Sequence, residues 1–388
     1  MVTPSLKLVI FGLSISSSWG NGHATLWRAL CRALGRRGHR TIFFEKDVPY
    51  YASNRDMTDI PGCELRLYNQ WSDIAGEARR ELSDADVGMV TSYCPDGVVA
   101  SHTVLESSAA VRCFYDLDTP ITISRLQTGQ IVSYLPPEGL GAFDLVLSYT
   151  GGAALRDLQA LLNARRVAPL YGSVDPDIHR PATSVPEFAA DLSYLGTYAE
   201  DRQQTLERLF INPSRVSPHR RFAIGGAQYP ADFPWTDNIF FVRHLPPVQH
   251  PSFYCSSRMT LNVTRRAMAQ MGYCPSGRLF EAAACGVPIL SDEWEGLDHF
   301  YTPGTEILLC RDTDDVLNAL ELSDAELNRI AAAARERTLA EHTAERRAID
   351  FERILEDPHV GHYSGSGEGK PHSAASFFEG TAAGGEPV

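Results

Sequence analysis

Short apolar runs rich in β-branched residues alternate with helix-spaced segments along this chain, and the alternation occurs twice. That pattern admits few architectures, because parallel strands need crossover connections and a helix is the usual one. In the first half the strand runs are Lys7–Ser14, Thr41–Glu45, Glu64–Tyr68, Val87–Ser92, Val111–Tyr115 and Asp144–Ser148. Ala24–Arg37 reads as a helix with Leu26, Leu30, Ala33 and Leu34 on one face, stopped by Gly38. The second half repeats the pattern with Leu192–Leu195, Arg221–Ile224, Ile239–Val242, Met259–Val263, Val287–Leu290 and Ile307–Leu309. The spacing predicts an α/β protein with two doubly wound, Rossmann-like domains, residues 1–168 and 169–322, the second entered through the Pro-rich connector Pro169–Pro186. Ligands of open parallel sheets bind at the carboxyl ends of the strands, so both domains are expected to aim loops into one central cleft. Residues 323–357 read as helices, and 358–388, rich in Gly, Ser, Ala and Pro, as a flexible tail.

Composition narrows the class. A net charge of −13 over 388 residues argues against nucleic acid or an anionic membrane as the main partner. The eight cysteines form no C-x-x-C pair and sit mostly inside apolar runs, which suits reduced thiols in a cytoplasmic protein. No apolar stretch approaches the roughly 18 residues of a membrane span. Leu8–Ile15 runs into a Gly-rich turn and reads as a first strand rather than a leader.

Two stretches carry the chemistry. Ser276–Asp292, SGRLFEAAACGVPILSD, reads as a loop, a helix from about Gly277 to Cys285, a turn at Gly286 and a strand. A helix starting just after Ser276-Gly277 offers free N–H groups and a positive dipole end to a diphosphate, Arg278 adds a fixed charge, and Glu281 one turn deeper is placed to accept from ribose hydroxyls. The bland alternative is an ordinary αβ unit with a solvated Glu. The second stretch, Ser16–His23, SSSWGNGH, joins the first strand to the first helix, and Gly20 and Gly22 allow a tight turn. It approaches a dinucleotide fingerprint, with Glu45 at the distance of a ribose-binding acid, but Thr25 stands where the third glycine belongs. A nicotinamide dehydrogenase is therefore a rival reading.

The run GRLFEAAACGVPILSD, with EWEGLDHFYTPGTEILLCRDTDDVLNAL after it, resembles the C-terminal domain of GT-B glycosyltransferases, the CgeB-like spore-maturation group in particular. The resemblance covers roughly Leu6–Leu320 and implies a GT-B fold whose last helices cross back to the first domain. It implies that Glu281 holds the ribose of a nucleotide-sugar. Many relatives carry a second Glu eight residues earlier; here that place is Tyr273, so the resemblance carries the nucleotide site over and leaves inverting and retaining mechanisms both open. The G-x-G-H of the first loop resembles the acceptor domain of such enzymes, in which a His opening the first helix is the general base in some inverting members, held by an Asp after the fifth strand. That implies His23 as base, with Asp116 or Asp118 of FYDLDTP as its partner, Asp118 being favoured; the alternatives are a backbone-bonded His23 and an N-capping Asp118.

Weaker candidates complete the set. Gly196 and Tyr198 follow the first strand of the second half and give a donor access to backbone, or are a strand-end turn. His244-Leu245-Pro246-Pro247 falls where the resemblance places main-chain contacts to the nucleobase. Arg258, Arg265 and Arg278 are candidates to neutralise a diphosphate, with at least one expected to be structural. Asp116-Leu117-Asp118 has the D-x-D form, but the resemblance implies no metal motif, and neither a metal nor a cofactor is expected. The sequence thus predicts transfer of a sugar from a nucleoside diphosphate sugar, UDP or dTDP, to an acceptor hydroxyl or amine that it does not name. A nucleotide-sugar epimerase of the same fold and a non-catalytic nucleotide-sugar-binding module are the alternatives.

Overall fold

The computed structural model describes residues 5–357, and the segment read above as a tail lies outside them. The first sheet has seven parallel strands, β1 (Lys7–Gly12), β2 (Arg40–Lys46), β3 (Cys63–Tyr68), β4 (Val87–Thr91), β5 (Val111–Asp116), β6 (Leu145–Ser148) and β7 (Val167–Pro169), in the order β3-β2-β1-β4-β5-β6-β7. The second has six, β8 (Ala190–Leu195), β9 (Phe222–Gly226), β10 (Ile239–Arg243), β11 (Ser257–Asn262), β12 (Ile289–Ser291) and β13 (Leu308–Leu309), in the order β10-β9-β8-β11-β12-β13. Helices cover both faces of each sheet, which is why strand residues of either parity are apolar. In β1, Val9 and Phe11 join one core layer while Leu8 and Ile10 join the other, and all four are buried.

These are the two parallel-sheet α/β domains that the alternation predicts. β7 was not anticipated: its three residues end in Pro169, inside what reads as a connector. It pairs with β6 from Val146↔Val167 to Ser148↔Pro169 at the sheet edge, where a proline's missing donor is tolerated. The helix expected to reach Cys285 runs from Gly277 to Ala284 with Cys285 as its cap, and the strand expected over Val287–Leu290 is displaced to Ile289–Ser291.

Strand order reverses between β1 and β4 in the first sheet and between β8 and β11 in the second. At such a switch point neighbouring crossovers leave on opposite faces and open a crevice. The loops after β1 and β8 therefore border the space between the domains. The helix Asp324–Glu341 packs against the second domain, with Ala334 beside Phe280 and the Thr338 hydroxyl 2.6 Å from that of Tyr301. The chain then crosses back. In the helix Ala344–Glu356, Ala344, Ala348, Phe351 and Ile354 enter the first domain's core beside Trp27, Leu30 and Leu34. Buried Glu352 accepts from Arg37 Nε at 2.5 Å and from His39 Nε2 at 2.7 Å, while His39 Nδ1 accepts from the Leu6 N–H. Among the described residues no helix is long and apolar enough to cross a membrane, and none of the eight cysteines is in a disulfide.

Candidate functional site

The two domains enclose a cleft of about 1230 Å³. Of the sequence-predicted residues, His23, Asp118, Gly196, Tyr198, Leu245, Arg265, Ser276, Gly277, Arg278 and Glu281 line it, and Asp116 does not.

One wall is built on the loop after β1. Buried Glu45, at the end of β2, accepts from the Ile15 and Ser16 N–H groups at 2.8 and 2.9 Å and from the Ser14 and Ser16 hydroxyls at 2.9 and 2.6 Å. All of its hydrogen-bonding capacity goes into shaping that loop, which removes it as a ribose-binding acid and with it the dinucleotide reading. Asn21 caps the helix Gly22–Arg36 by accepting from His23 N–H at 3.1 Å, and its amide donates back to the Ser14 and Ser17 carbonyls. His23 is thereby fixed on the first turn of a well-anchored helix. Its Nε2 lies 2.8 Å from Asp118 Oδ2, and its Nδ1 has no hydrogen-bond partner.

Asp118 occupies the N-cap position of the helix Thr119–Gln127 yet makes no side-chain cap bond; its carboxylate is turned to His23 instead. Burial raises its pKa, but the charge and hydrogen bond of His23, with Arg265 and Arg125, outweigh that and hold it below the ordinary aspartate value. Asp116 lies behind, fully buried, accepting the Asp118 N–H at 3.0 Å, and burial pushes its pKa up to about 6. The alternation of side chains along extended backbone sends the two carboxylates apart, and Asp118 is the one at the histidine. Tyr93 stands beside His23, ring centroids 5.9 Å apart, with an unusual positive φ of 61° after β4.

The opposite wall is built on the helix Gly277–Ala284. Arg278 donates to the Leu195 carbonyl at 2.8 Å and to Ser276 Oγ at 3.2 Å, which pins its guanidinium over the end of β8. Gly196 is required there: a Cβ would meet Arg278 Nη1 at 2.5 Å. Arg265 pairs with Asp201 at 3.1 Å. Arg258 is the structural arginine of the three, tied to the Leu320 carbonyl and to Asp324 outside the cleft. Tyr198 packs its ring against Tyr229 and Phe233. The Leu245 carbonyl is taken by His250 Nε2 at 3.3 Å. Tyr273, in the place of the second Glu, has φ 46°; its ring lies against Gly152 and Gly296, and its carbonyl accepts Gly151 N–H across the two domains at 3.0 Å. That position joins the domains and presents no carboxylate.

Three features were missed from sequence. Arg202 lines the cleft, donates to the Thr197 carbonyl and leaves buried Nε without a partner; burial, with the charges of Arg278 and Arg265, pulls its pKa below the ordinary arginine value. A wall of crowded cations of this kind favours an anion. Trp19 meets His244 across the cleft, ring centroids 3.6 Å apart. His179 and His250 flank Glu281, their nearest nitrogens 3.9 and 3.8 Å from Oε2, and burial lowers the His250 pKa to about 4. No local spacing signals residues this far apart; only their types, basic or imidazole, gave a hint.

Residues 202–353 match the family model described as glycosyl transferase-like. No curated protein matches the sequence. Among solved structures, an alpha-glucosyltransferase in complex with UDP-glucose and DNA containing an abasic site superimposes with a TM-score of 0.67 at 11% identity, over 91% of this chain and 100% of that one. Sucrose-phosphate synthase from Thermosynechococcus elongatus gives 0.66 at 14% identity over 90% and 98%. HepE of Anabaena in complex with UDP-glucose gives 0.64 at 11% over 90% and 99%. At such identities the likeness speaks for the fold, and the fold is that of the GT-B glycosyltransferases, two parallel-sheet α/β domains facing one cleft.

Proposed function

We propose that the protein is a glycosyltransferase that moves a sugar from a nucleoside diphosphate donor to an acceptor hydroxyl or amine, with the donor on the second domain and the acceptor beside His23. The observation that carries this reading is the His23–Asp118 pair at 2.8 Å on one wall of a cleft whose other wall holds Arg202, Arg278 and Glu281. Asp118 fixes the tautomer: Nε2–H donates to the carboxylate, and Nδ1, unpartnered but covered in this state, keeps the lone pair that an incoming acceptor must reach. Arg202, Arg265 and Arg278 neutralise the diphosphate as it leaves, and Glu281 accepts from the ribose. Solved neighbours hold UDP-glucose and, in a starch synthase, ADP, which favours a UDP- or ADP-type donor over dTDP. The dyad favours a transferase over the epimerase reading, since a base paired in this way suits activation of an acceptor. Direct displacement by that acceptor inverts the anomeric carbon.

The test is thermal stabilisation by UDP, ADP and GDP, followed by turnover of the matching sugar donors with and without candidate acceptors. Binding with acceptor-dependent release of nucleoside diphosphate is expected. Protection without turnover under any acceptor would leave a binding module, and turnover without acceptor an epimerase or hydrolase. The eight unpaired thiols fit a reducing compartment, where we place the protein.

A further inference from the structure

We propose that His179, His250 and Glu281 form a site for one borderline divalent ion of the zinc class, behind the wall that carries Glu281. His179 Nε2 and His250 Nδ1 face the same atom, Glu281 Oε2, from 3.9 and 3.8 Å, and all three ligand atoms lie within 4.8 Å of one another. Those separations are too long for hydrogen bonds, and neither nitrogen finds a partner elsewhere. Buried polar atoms left unpaired ask for an explanation, and an ion at their centre is one.

Size favours the ion. A point equidistant from the three atoms lies about 2.5 Å or less from each, against about 2.0–2.2 Å for a zinc–imidazole or zinc–carboxylate bond, so side-chain shifts of a few tenths of an ångström complete the site. Both nitrogens are shut off from solvent, which suits an ion at bonding distance better than a water at hydrogen-bonding distance. The surrounding bonds already orient two of the three ligands. His250 Nε2 donates to the Leu245 carbonyl at 3.3 Å, leaving the Nδ1 lone pair turned to the cluster, the tautomer-fixing arrangement of metal-bound imidazoles. The Tyr254 hydroxyl donates to Glu281 Oε2 at 3.4 Å.

Two imidazoles and one carboxylate suit zinc, cobalt or nickel rather than magnesium or calcium, and three protein ligands leave a fourth position open. The ligands come from three segments: the stretch that enters the second domain, the start of the helix His250–Cys255, and the helix Gly277–Ala284. An ion there ties these segments together only in the folded state and therefore stabilises it. It takes Glu281 Oε2, while Oε1, on the Gly277 side, remains for a ligand in the cleft.

The test uses the whole chain, stripped by dialysis against a chelator and titrated near neutral pH with Co²⁺ as the spectroscopic stand-in and Zn²⁺ by calorimetry. One equivalent should bind, Co²⁺ should develop visible d–d absorption, and Zn²⁺ should raise the melting temperature. His179→Ala and His250→Ala should each weaken binding by at least about tenfold. His219→Ala, on the exposed surface, should not. A wild-type protein that takes up neither ion at micromolar concentration overturns the proposal, and no variant is needed to see it. So does absorption that persists unchanged in both His179→Ala and His250→Ala.

Discussion

His23 and Asp118, 95 residues apart in the chain, meet at 2.8 Å because two helices that follow neighbouring parts of one sheet begin at the same cleft edge. The aspartate gives up the capping bond of its own helix to make that contact, so the local geometry is spent on the histidine. His23→Ala should lower turnover by about 10²–10⁴-fold with little change in donor affinity, because a general base acts on the transition state and the donor rests on the other domain. Steady-state kinetics beside calorimetry with UDP checks the split, and NMR of the product linkage checks for inversion. Full activity in the variant would leave His23 a helix-start residue.

On the donor wall, Glu281→Ala removes a charged acceptor for ribose hydroxyls. UDP affinity should fall by roughly 1.5–3 kcal/mol, measured by calorimetry. Unchanged affinity sinks the assignment.

Arg202 and Arg278 should act on the diphosphate and not on the nucleoside. Arg202→Gln and Arg278→Lys are expected to weaken UDP by about tenfold or more while uridine binding changes little, since bidentate phosphate contacts need the guanidinium. An equal loss for both ligands would mark the arginine as structural, held for its bond to a backbone carbonyl, Thr197 for Arg202 and Leu195 for Arg278.

Asp116 makes stability depend on pH. Its folded pKa, about 6, lies above its ordinary value because burial disfavours the charge, so its favourable contribution is present at low pH and is lost as pH rises through 6. Asp292, buried and also raised to about 6, adds to the same window; Asp118, held low, does not titrate there. His250 and His342, whose pKa values burial lowers to about 4 and about 3, act in the opposite sense over the same range. The test is therefore the difference between variant and wild type: by urea midpoints Asp116→Asn should gain on the wild type as pH rises from about 4 to about 7, by roughly 1–3 kcal/mol at neutral pH.

Glu352 anchors the last helix. Removing it leaves buried His39 and the Arg37 guanidinium without their acceptor, so Glu352→Ala should cost about 3–5 kcal/mol. Hydrogen exchange should show the helix Ala344–Glu356 opening before the sheets. Protection equal to the wild type would place the anchor in its apolar face alone.

The fold was legible because its signal is local: both faces of β1 and β4 are covered, so each strand announces itself as a short apolar run. β7 was not, because three residues ending in proline carry too little pattern. At the site, His23 and Glu281 stood out through the short motifs around them. Arg202 did not, because an arginine in a helix reads as a solvated face until burial and the missing partner at its Nε are seen. Glu45 misled for the opposite reason: its distance from the glycine loop is what a ribose acid needs, but four donors of that loop had already claimed it.

The return of the chain to its first domain has a mechanical consequence. Val174, on the outward crossing, and Thr343, on the return, form a parallel bridge, with Val174 N–H donating to the His342 carbonyl and Ala344 N–H to that of Val174. The two tethers between the domains are thus laid side by side rather than at opposite corners. With both connections on one line, a swing of one domain against the other about that line would strain neither tether, whereas any displacement that parted the two strands would have to break these hydrogen bonds.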